Sequence, residues 1–308
     1  MKKEFTYPSA DGKTQIHAIS WVPEGKVRAV LQIAHGMVEF IDRYDRFAGV
    51  LNAEGILVVG NDHLGHGQSV TDPSNLGYFG SPDGNAFIIA DIHQLRQQTE
   101  QQYPQVPFFL LGHSMGSFLA RQYIEMYGQG LAGAIIMGTG YQTEGTLKAG
   151  KMLCKLIGSV RGWHYRSRFI NNMAIGAYSK AFQPARTPAD WLTRDEAVVD
   201  AYLHNPLCTF TFTVNGYYHL FRGLQYAEDP ANLNKIPKEL PVLVVSGGKD
   251  PVGNFGKDPV KVAEIYKQTG LKDVTCKIYP EDRHEVLNEM DKETVDRDIL
   301  GWIEQHMS

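Results

Sequence analysis

Short segments that are apolar at nearly every position recur along the 308-residue chain, and most are followed by a segment with helical periodicity. Strands that are apolar throughout belong to a sheet that is covered on both faces, whereas half-exposed strands alternate. Alternation of such strands with helices predicts parallel strands joined by right-handed crossovers. The predicted strands span residues 29–36, 56–62, 107–112, 131–140, 241–250 and 274–280.

The two departures from this pattern complete the prediction of the fold. The segment Thr14–Pro23 alternates like an antiparallel edge strand, which predicts a mostly parallel α/β sheet of about eight strands with helices on both faces. No comparable strand occurs in residues 141–235, and so long a stretch between two core strands predicts an inserted helical cap. We call residues 141–235 the cap segment. The core is then expected in two parts, residues 1–140 and 236–308.

Composition argues against several classes of function. A formal net charge of −4 provides no general electrostatic basis for nucleic-acid binding. The three cysteines are far apart and lack the spacing of metal ligands, so reduced thiols are expected. The first residues contain no apolar signal-peptide core, and no apolar run approaches the roughly 20 residues of a membrane span. These features predict a cytoplasmic protein.

One apolar strand runs directly into GHSMG (Gly112–Gly116), and a helical pattern follows. A Gly-x-Ser-x-Gly motif between a strand and a helix is typical of a nucleophile elbow, a sharp turn that pushes the serine hydroxyl above the sheet. Glycine is needed on both sides because larger side chains would collide. Ser114 is therefore predicted to be a nucleophile.

A serine hydroxyl needs a base, and the base needs a carboxylate that orients it. In this kind of fold the chain order is serine, acid, histidine. His284, in a loop just past a strand, is predicted to be the base in preference to His306 near the C-terminal end. Asp250 closes a strand and is predicted to be the acid. Asp258 precedes a proline and is interpreted as a helix N-cap, while Asp282 is too near the histidine in sequence.

The oxyanion of a tetrahedral intermediate needs hydrogen-bond donors that are already in place. One donor is predicted to be the backbone N–H of Met115, which follows the nucleophile at the start of a helix. The other is predicted to be the N–H of Met37, in the loop HGMVEF after an earlier strand. Glu39 and Arg43 are expected to form an ion pair that shapes this loop.

Five motifs resemble the α/β-hydrolase superfamily and, within it, the monoacylglycerol lipase and lysophospholipase-like group of the serine aminopeptidase type. The motifs are HGMVEFIDRY (His35–Tyr44), NDHLGHGQS (Asn61–Ser69), GHSMGS (Gly112–Ser117), GGKDPVG (Gly247–Gly253) and RHEVLNE (Arg283–Glu289). The resemblance implies a lidded serine hydrolase that cleaves carboxylic esters, with monoacylglycerols or related lipid esters as substrates and no cofactor or metal. Phe40 and Leu64 stand where this group usually has histidine and arginine, which changes the expected polarity of the entrance.

Several further residues are candidates for contact with the substrate. They are Phe40, His113, Trp163, Tyr218 and His219. His113 is also explained by a purely structural role in the elbow. The helical spacing of four neighbours favours the core of the cap segment for them, namely Tyr217, Leu220, Phe221 and Leu224. His63 and His66 are expected to be hydrogen-bonded loop residues, since one loop rarely supplies enough ligands for a metal.

The cap segment also carries six basic residues with no acidic residue between them: Lys148, Lys151, Lys155, Arg161, Arg166 and Arg168. Together with an apolar helical face and a tryptophan, they resemble a basic amphipathic element that rests on an anionic lipid surface. A solvated basic face on a helix that covers the pocket explains the same pattern, and the sequence leaves both interpretations open.

Three alternative functions share these features. An aminopeptidase would need acidic groups in the cap segment to hold the substrate's amine, and Glu196 and Glu228 are available. Acyl transfer to another alcohol would use the same triad. A non-catalytic ligand-binding protein of this fold is expected to lack one triad residue, whereas all three are present here.

Overall fold

The computed structural model of the chain describes residues 1–307, and it contains one eight-stranded sheet in the order β1-β2-β4-β3-β5-β6-β7-β8. The six strands from β3 to β8 are parallel, and β2 pairs antiparallel with both of its neighbours. This confirms the predicted α/β fold class. The strands are β1 Lys2–Pro8, β2 Gln15–Trp21, β3 Ala29–Ala34, β4 Ile56–Asn61, β5 Phe108–His113, β6 Gly133–Met137, β7 Val242–Gly247 and β8 Val274–Tyr279.

Helices cover both faces of the sheet, as the apolar strands require. The helices are α1 Asp45–Ala53, α2 Gly84–Gln102, α3 Met115–Tyr127, α4 Glu144–Arg161, α5 Arg168–Ala174, α6 Glu196–His204, α7 Val214–Ala227, α8 Pro230–Leu233, α9 Lys257–Gln268 and α10 Lys292–Gln305. In β3, for example, Leu31 and Ile33 pack into a cluster with α1 and α10, while Val30 and Ala34 pack into a second cluster with α2, α3 and α9.

The cap segment lies between β6 and β7 and contains the five helices α4 to α8, with no strand. The first of these helices, α4, is capped by the side chain of Thr143 and packs against α7. Because β6 and β7 are adjacent parallel strands, the chain leaves β6 at the carboxyl edge of the sheet and must return to the opposite edge to enter β7. The cap segment therefore begins at the carboxyl edge, which is where open α/β sheets bind ligands.

A 3-10 turn at Ile41–Tyr44 leads directly into α1. One local prediction was wrong. Asp258 is not an N-cap, because α9 already begins at Lys257 after Gly256, whose left-handed φ of 81° suits glycine. The carboxylate of Asp258 instead accepts a hydrogen bond from the backbone N–H of Tyr141, at 3.1 Å.

Candidate active site

The elbow at Ser114 has the strained backbone that the motif predicts. Ser114 joins β5 to α3 with φ 55° and ψ −120°, a conformation that few non-glycine residues adopt. A Cβ atom on Gly112 would lie 2.1 Å from the carbonyl oxygen of Gly116, and one on Gly116 would lie 1.9 Å from that of Ala34. Neither position can hold a side chain, because the backbones are already in contact.

The predicted histidine and acid are in contact. The Nδ1 atom of His284 lies 2.9 Å from Oδ2 of Asp250, and both side chains are almost fully buried. The other carboxylate oxygen of Asp250 accepts the backbone N–H of Val252 at 2.8 Å. With Nδ1–H donating to the carboxylate, Nε2 of the imidazole is left as an acceptor. Ser114 and His284 line the same cavity.

The rival acids and the rival histidine are engaged elsewhere. Asp258 lies beside Tyr141, and Asp282 binds Arg194. His306 bonds Asp273 at the protein surface, with its Nε2 atom 3.0 Å from the carboxylate. None of these three side chains lines the cavity that Ser114 faces, within residues 1–307.

The two predicted oxyanion donors face the same cavity. Met37 and Met115 line it, and in the described part of the chain no backbone carbonyl accepts a hydrogen bond from either N–H. The loop of Met37 lies against the nucleophile, since a Cβ on Gly36 would be 3.0 Å from the Cβ of Ser114. Val38, next in this loop, has φ 57° and donates its N–H to Nε2 of His66. This geometry is compatible with an oxyanion hole.

A buried ionic network joins this loop to the loop of His284. Glu39 and Arg43 form the expected ion pair at 3.0 Å, and Arg43 also makes a two-pronged pair with Glu285, with both distances 2.8 Å. Burial alone would raise the pKa of Glu39, but His113 and Arg43 outweigh it and hold that pKa well below its ordinary value. Both carboxylates are therefore charged and already paired.

Glu285 was not singled out from the sequence, although it directly follows the predicted base. Its partner lies 242 positions earlier in the chain, so no local pattern indicates the contact. The sequence offered two signals, an acidic residue next to the predicted base and an arginine that follows the loop of Met37.

His35, His63 and His66 form a buried cluster next to the loop of Met37. The rings of His35 and His63 are 4.1 Å apart between centroids, and Nε2 of His35 accepts the N–H of His63 at 3.0 Å. Burial and the neighbouring rings lower the pKa of all three, that of His66 to about 3, so the cluster is neutral. Both ring nitrogens of His66 have hydrogen-bond partners, as expected, whereas Nε2 of the buried His63 has none within residues 1–307.

The cavity above Ser114 has a volume of about 210 Å³ and walls that are mostly apolar. Most of these walls come from the cap segment, so the cap encloses the space next to the nucleophile. The apolar residues include Leu147 from α4, Met173 from α5 and three residues of α7, namely Leu220, Phe221 and Leu224. The polar cap residues are Gln142, Thr146, Tyr178 and Tyr202.

Of the five predicted substrate contacts, only His113 lines this cavity. The other four do not line it, namely Phe40, Trp163, Tyr218 and His219. Trp163 packs on Gly158 and against Tyr218, with ring centroids 5.4 Å apart. The ring of His219 turns towards α2, where its Nδ1 accepts the N–H of Asn85 at 3.4 Å.

The face of α7 that lines the cavity is the one predicted to be the core of the cap segment, with Leu220, Phe221 and Leu224. The same residues also pack into the hydrophobic core, so the apolar face of this helix lies partly against protein and partly against the cavity. Helical periodicity identifies the apolar face but does not distinguish these two environments.

Comparison with known proteins agrees with this geometry. The model of the family described as "Serine aminopeptidase, S33" matches residues 25–291. The chain is 25% identical to a monoacylglycerol lipase from Mycolicibacterium smegmatis, over 99% of this chain and 98% of that protein. It is 26% identical to a monoglyceride lipase from Mus musculus, over 97% and 90% of the two chains.

Among solved structures, the protein is similar to a highly thermostable carboxyl esterase from Bacillus coagulans in complex with glycerol. The TM-score is 0.93 and the identity 28%, with 100% of this chain and 99% of that chain covered. The family model spans most of the chain, and the fold and the motif order agree with it. The chain therefore belongs to the serine aminopeptidase S33 family of the α/β-hydrolase superfamily, and it is a serine hydrolase.

Proposed function

We propose that the protein hydrolyses carboxylic esters, with monoacylglycerols or related lipid esters as substrates, through an acyl-enzyme on Ser114. The observation that carries the proposal is the position of the Ser114 elbow and the His284–Asp250 pair at a cavity with apolar walls. An apolar cavity next to a nucleophile suits an acyl chain. The names of the similar proteins, two lipases of monoacylglycerols and a carboxyl esterase, support the same substrate class.

In the first half of the reaction, the Ser114 hydroxyl attacks the ester carbonyl carbon while Nε2 of His284 accepts its proton. The oxygen that becomes negative receives hydrogen bonds from the N–H groups of Met37 and Met115. The imidazolium then gives its proton to the leaving alkoxide as the carbon–oxygen bond breaks. Asp250 holds the imidazole in the required tautomer and stabilises its positive charge.

In the second half, a water molecule attacks the acyl-enzyme. His284 accepts a proton from the water, and the same two N–H groups again stabilise the oxyanion. Collapse of the intermediate breaks the bond to Ser114 Oγ, which takes back a proton from the imidazolium. The fatty acid leaves, and the enzyme returns to its starting state without any cofactor.

The charges around the cavity favour an ester over a peptide with a free amine. The acidic side chains that line it are Glu39 and Glu285, and Arg43 already pairs with both. Glu196 is exposed and lies outside the cavity, while Glu228 pairs with the buried Arg121 at 2.9 Å. A substrate ammonium group would therefore lack a free carboxylate partner.

We expect the purified protein to hydrolyse medium- or long-chain monoacylglycerols at least about 100-fold faster, by kcat/KM, than aminoacyl amides, which corresponds to about 2.7 kcal/mol of transition-state stabilisation. The reason is that the acyl chain gains burial in the cavity, whereas an amine gains no ion pair there. The measurement is a panel of both substrate classes under identical conditions. Faster release of amino acids from amides than of fatty acids from esters would overturn the ester proposal.

We further propose that the cap segment rests on an anionic lipid surface when it takes up substrate. The outer face of α4 exposes three large apolar side chains, Met152 at 71%, Leu156 at 64% and Val160 at 75%. Phe169 and Met173 of α5 are also exposed. The two helices carry four exposed basic residues, of which the first pairs with Glu144: Lys148, Lys155, Arg161 and Arg168. No helix within residues 1–307 is long and apolar enough to cross a bilayer.

This proposal predicts that the protein pellets with anionic vesicles at low salt and is released at high salt. The double substitution Met152→Ser and Leu156→Ser should weaken the binding, because it removes apolar surface that would enter the lipid interface. Met290→Ser is the matched control, since Met290 is 62% exposed but lies outside the cap segment. Equal recovery from neutral and anionic vesicles would contradict the proposal.

A further inference from the structure

The loop that carries His284 is held from above by a short part of the cap segment, residues 190–194, which precedes α6. The backbone N–H of Glu285 donates to the carbonyl of Leu192 at 2.7 Å, and that of His284 donates to Trp191 at 3.4 Å. The indole of Trp191 also covers one side of the His284 ring, with centroids 5.1 Å apart. The cap segment thus forms part of the surroundings of the catalytic base.

Arg194 is the charged centre of this contact. Its Nη2 atom donates to Asp282 at 2.6 Å and to Asp291 at 2.7 Å, and its Nε atom donates to Glu289 at 2.8 Å. The backbone N–H of Arg194 also bonds Glu289, at 3.1 Å. One guanidinium from the cap segment therefore holds three carboxylates from the loop that surrounds His284.

Within residues 1–307, Arg194 is the one cation that pairs with these three acidic residues. Asp282 and Glu289 are buried, and carboxylate oxygens of the three residues lie within 4.8 Å of one another. Glu289 also accepts the backbone N–H of Arg283 at 2.9 Å, next to the catalytic base. Burial and the hydrogen bond with Asp291 raise the pKa of Asp282 to about 7, and the guanidinium of Arg194 opposes this rise. Without the guanidinium, the cluster would have to take up protons or leave buried charge uncompensated, and in either case the loop would lose this link to the cap segment.

A second arginine, which belongs to the loop of His284, donates hydrogen bonds to the cap segment. Arg283, the neighbour of His284, donates from its side chain to the backbone carbonyls of Asp190 and Thr193. The hydroxyl of Thr193 donates to the carbonyl of Asn288 at 2.9 Å. The part of the cap segment at 190–194 is thus tied to the catalytic loop from both sides.

We propose that Arg194 is a positioning residue for the reaction, which keeps His284 in register with Ser114 by gathering the carboxylates of the 282–291 loop. The inference rests on the proposed function, because it requires His284 to be the catalytic base. Arg194 lies outside the cavity lining and acts only through the loop. Misplacement of a catalytic group by about 1 Å can lower the rate about 100-fold.

The test compares Arg194→Ala with Arg222→Ala, using a short water-soluble ester as substrate. Arg222 is the matched control because it forms another bridge from the cap segment to the core, to Asp83 at 2.7 Å, away from the histidine loop. We expect kcat of Arg194→Ala to fall about 100-fold with little change in KM, and the control to stay near wild type. Fluorophosphonate labelling of Ser114 should slow in parallel.

Added guanidinium ion should restore part of kcat in Arg194→Ala, because it can fill the space between the three carboxylates, and it should leave Arg222→Ala unchanged. Arg194→Lys, which keeps the charge but not the planar geometry, is the second variant and is expected to fold with intermediate kcat. Thermal unfolding followed by circular dichroism gives the folded fraction of each variant at the assay temperature.

Wild-type kcat per folded molecule in Arg194→Ala would overturn the proposal, because a merely structural bridge lowers the melting temperature without changing turnover of the folded enzyme. If Arg194→Ala does not fold, wild-type kcat in Arg194→Lys would overturn it. The proposed function is tested separately by Ser114→Ala. Full ester hydrolysis by that variant would remove the proposed function, whereas a null result for Arg194 alone would leave it intact.

Discussion

Replacement of Ser114 by alanine should lower turnover of a monoacylglycerol by about 10⁴ to 10⁶-fold, in the range found when serine hydrolase nucleophiles are removed. The substitution deletes the only atom that would bond to the acyl carbon. It leaves the elbow backbone in place, because the Ser114 N–H still donates to Met137 at 3.0 Å. Hydrolysis is measured by release of fatty acid, and binding of a fluorophosphonate probe should be lost together with activity.

Ser117→Ala is the control for this experiment. Ser117 is buried one turn further along α3, and its hydroxyl donates to the carbonyl of Ser114 at 2.6 Å. This variant should keep probe labelling, and the labelled peptide should map to position 114. Undiminished ester hydrolysis by Ser114→Ala, or labelling that persists at another residue, would show that a different nucleophile performs the reaction.

Asp250→Asn is expected to lower kcat by about 10⁴-fold, the magnitude typical of such a change in a serine triad. The N–H of Val252 donates to Oδ1 of Asp250 at 2.8 Å, so the asparagine oxygen should keep that position. The amide NH₂ would then face Nδ1 of His284 and donate to it. Nε2 would carry the ring proton and could no longer accept the proton of Ser114. The measurement is kcat on the same ester.

Asp258→Asn separates this tautomer effect from a general loss of charge near the site. Asp258 bonds the N–H of Tyr141, which an asparagine oxygen can still accept, so activity should remain within a few-fold of wild type. Both variants should have melting temperatures close to that of the wild type. If Asp258→Asn were the inactive variant and Asp250→Asn the active one, the acid of the triad would be assigned wrongly.

The elbow and the order of the triad could be predicted from the sequence because their causes are local. Gly112 and Gly116 are required by backbone contacts within a few residues of Ser114, so the motif itself reports the geometry. Asp250 and His284 follow strands, and parallel strands bring their carboxyl ends to one edge of the sheet. For these residues, position along the chain already implied position in space.

The walls of the cavity could not be predicted in the same way. Helix α7 has one apolar face, which lies partly against the core and partly against the cavity. Periodicity predicts a core position for Leu220, Phe221 and Leu224, and these residues both pack into the core and line the cavity. His219, a predicted substrate contact, instead accepts a hydrogen bond from the N–H of Asn85 in α2. Whether an apolar helix face packs against protein or lines a cavity depends on the neighbouring elements, which the sequence of the helix does not specify.

The ionic contacts around the loops of Met37 and His284 could not be predicted from the sequence, for a related reason. Arg43 and Glu285 lie 242 positions apart, and Arg194 and Asp282 lie 88 apart. An ion pair requires two charged residues close together in space, and the sequence around one charged residue does not indicate which residue will be its partner.

The sequence by itself determined the α/β sheet, the elbow and the chain order of the predicted reacting groups, since these follow from backbone sterics and strand direction. Only the tertiary structure decided which side chains line the cavity next to Ser114 and which charges meet around the loop of His284, because both depend on packing between segments distant in the chain.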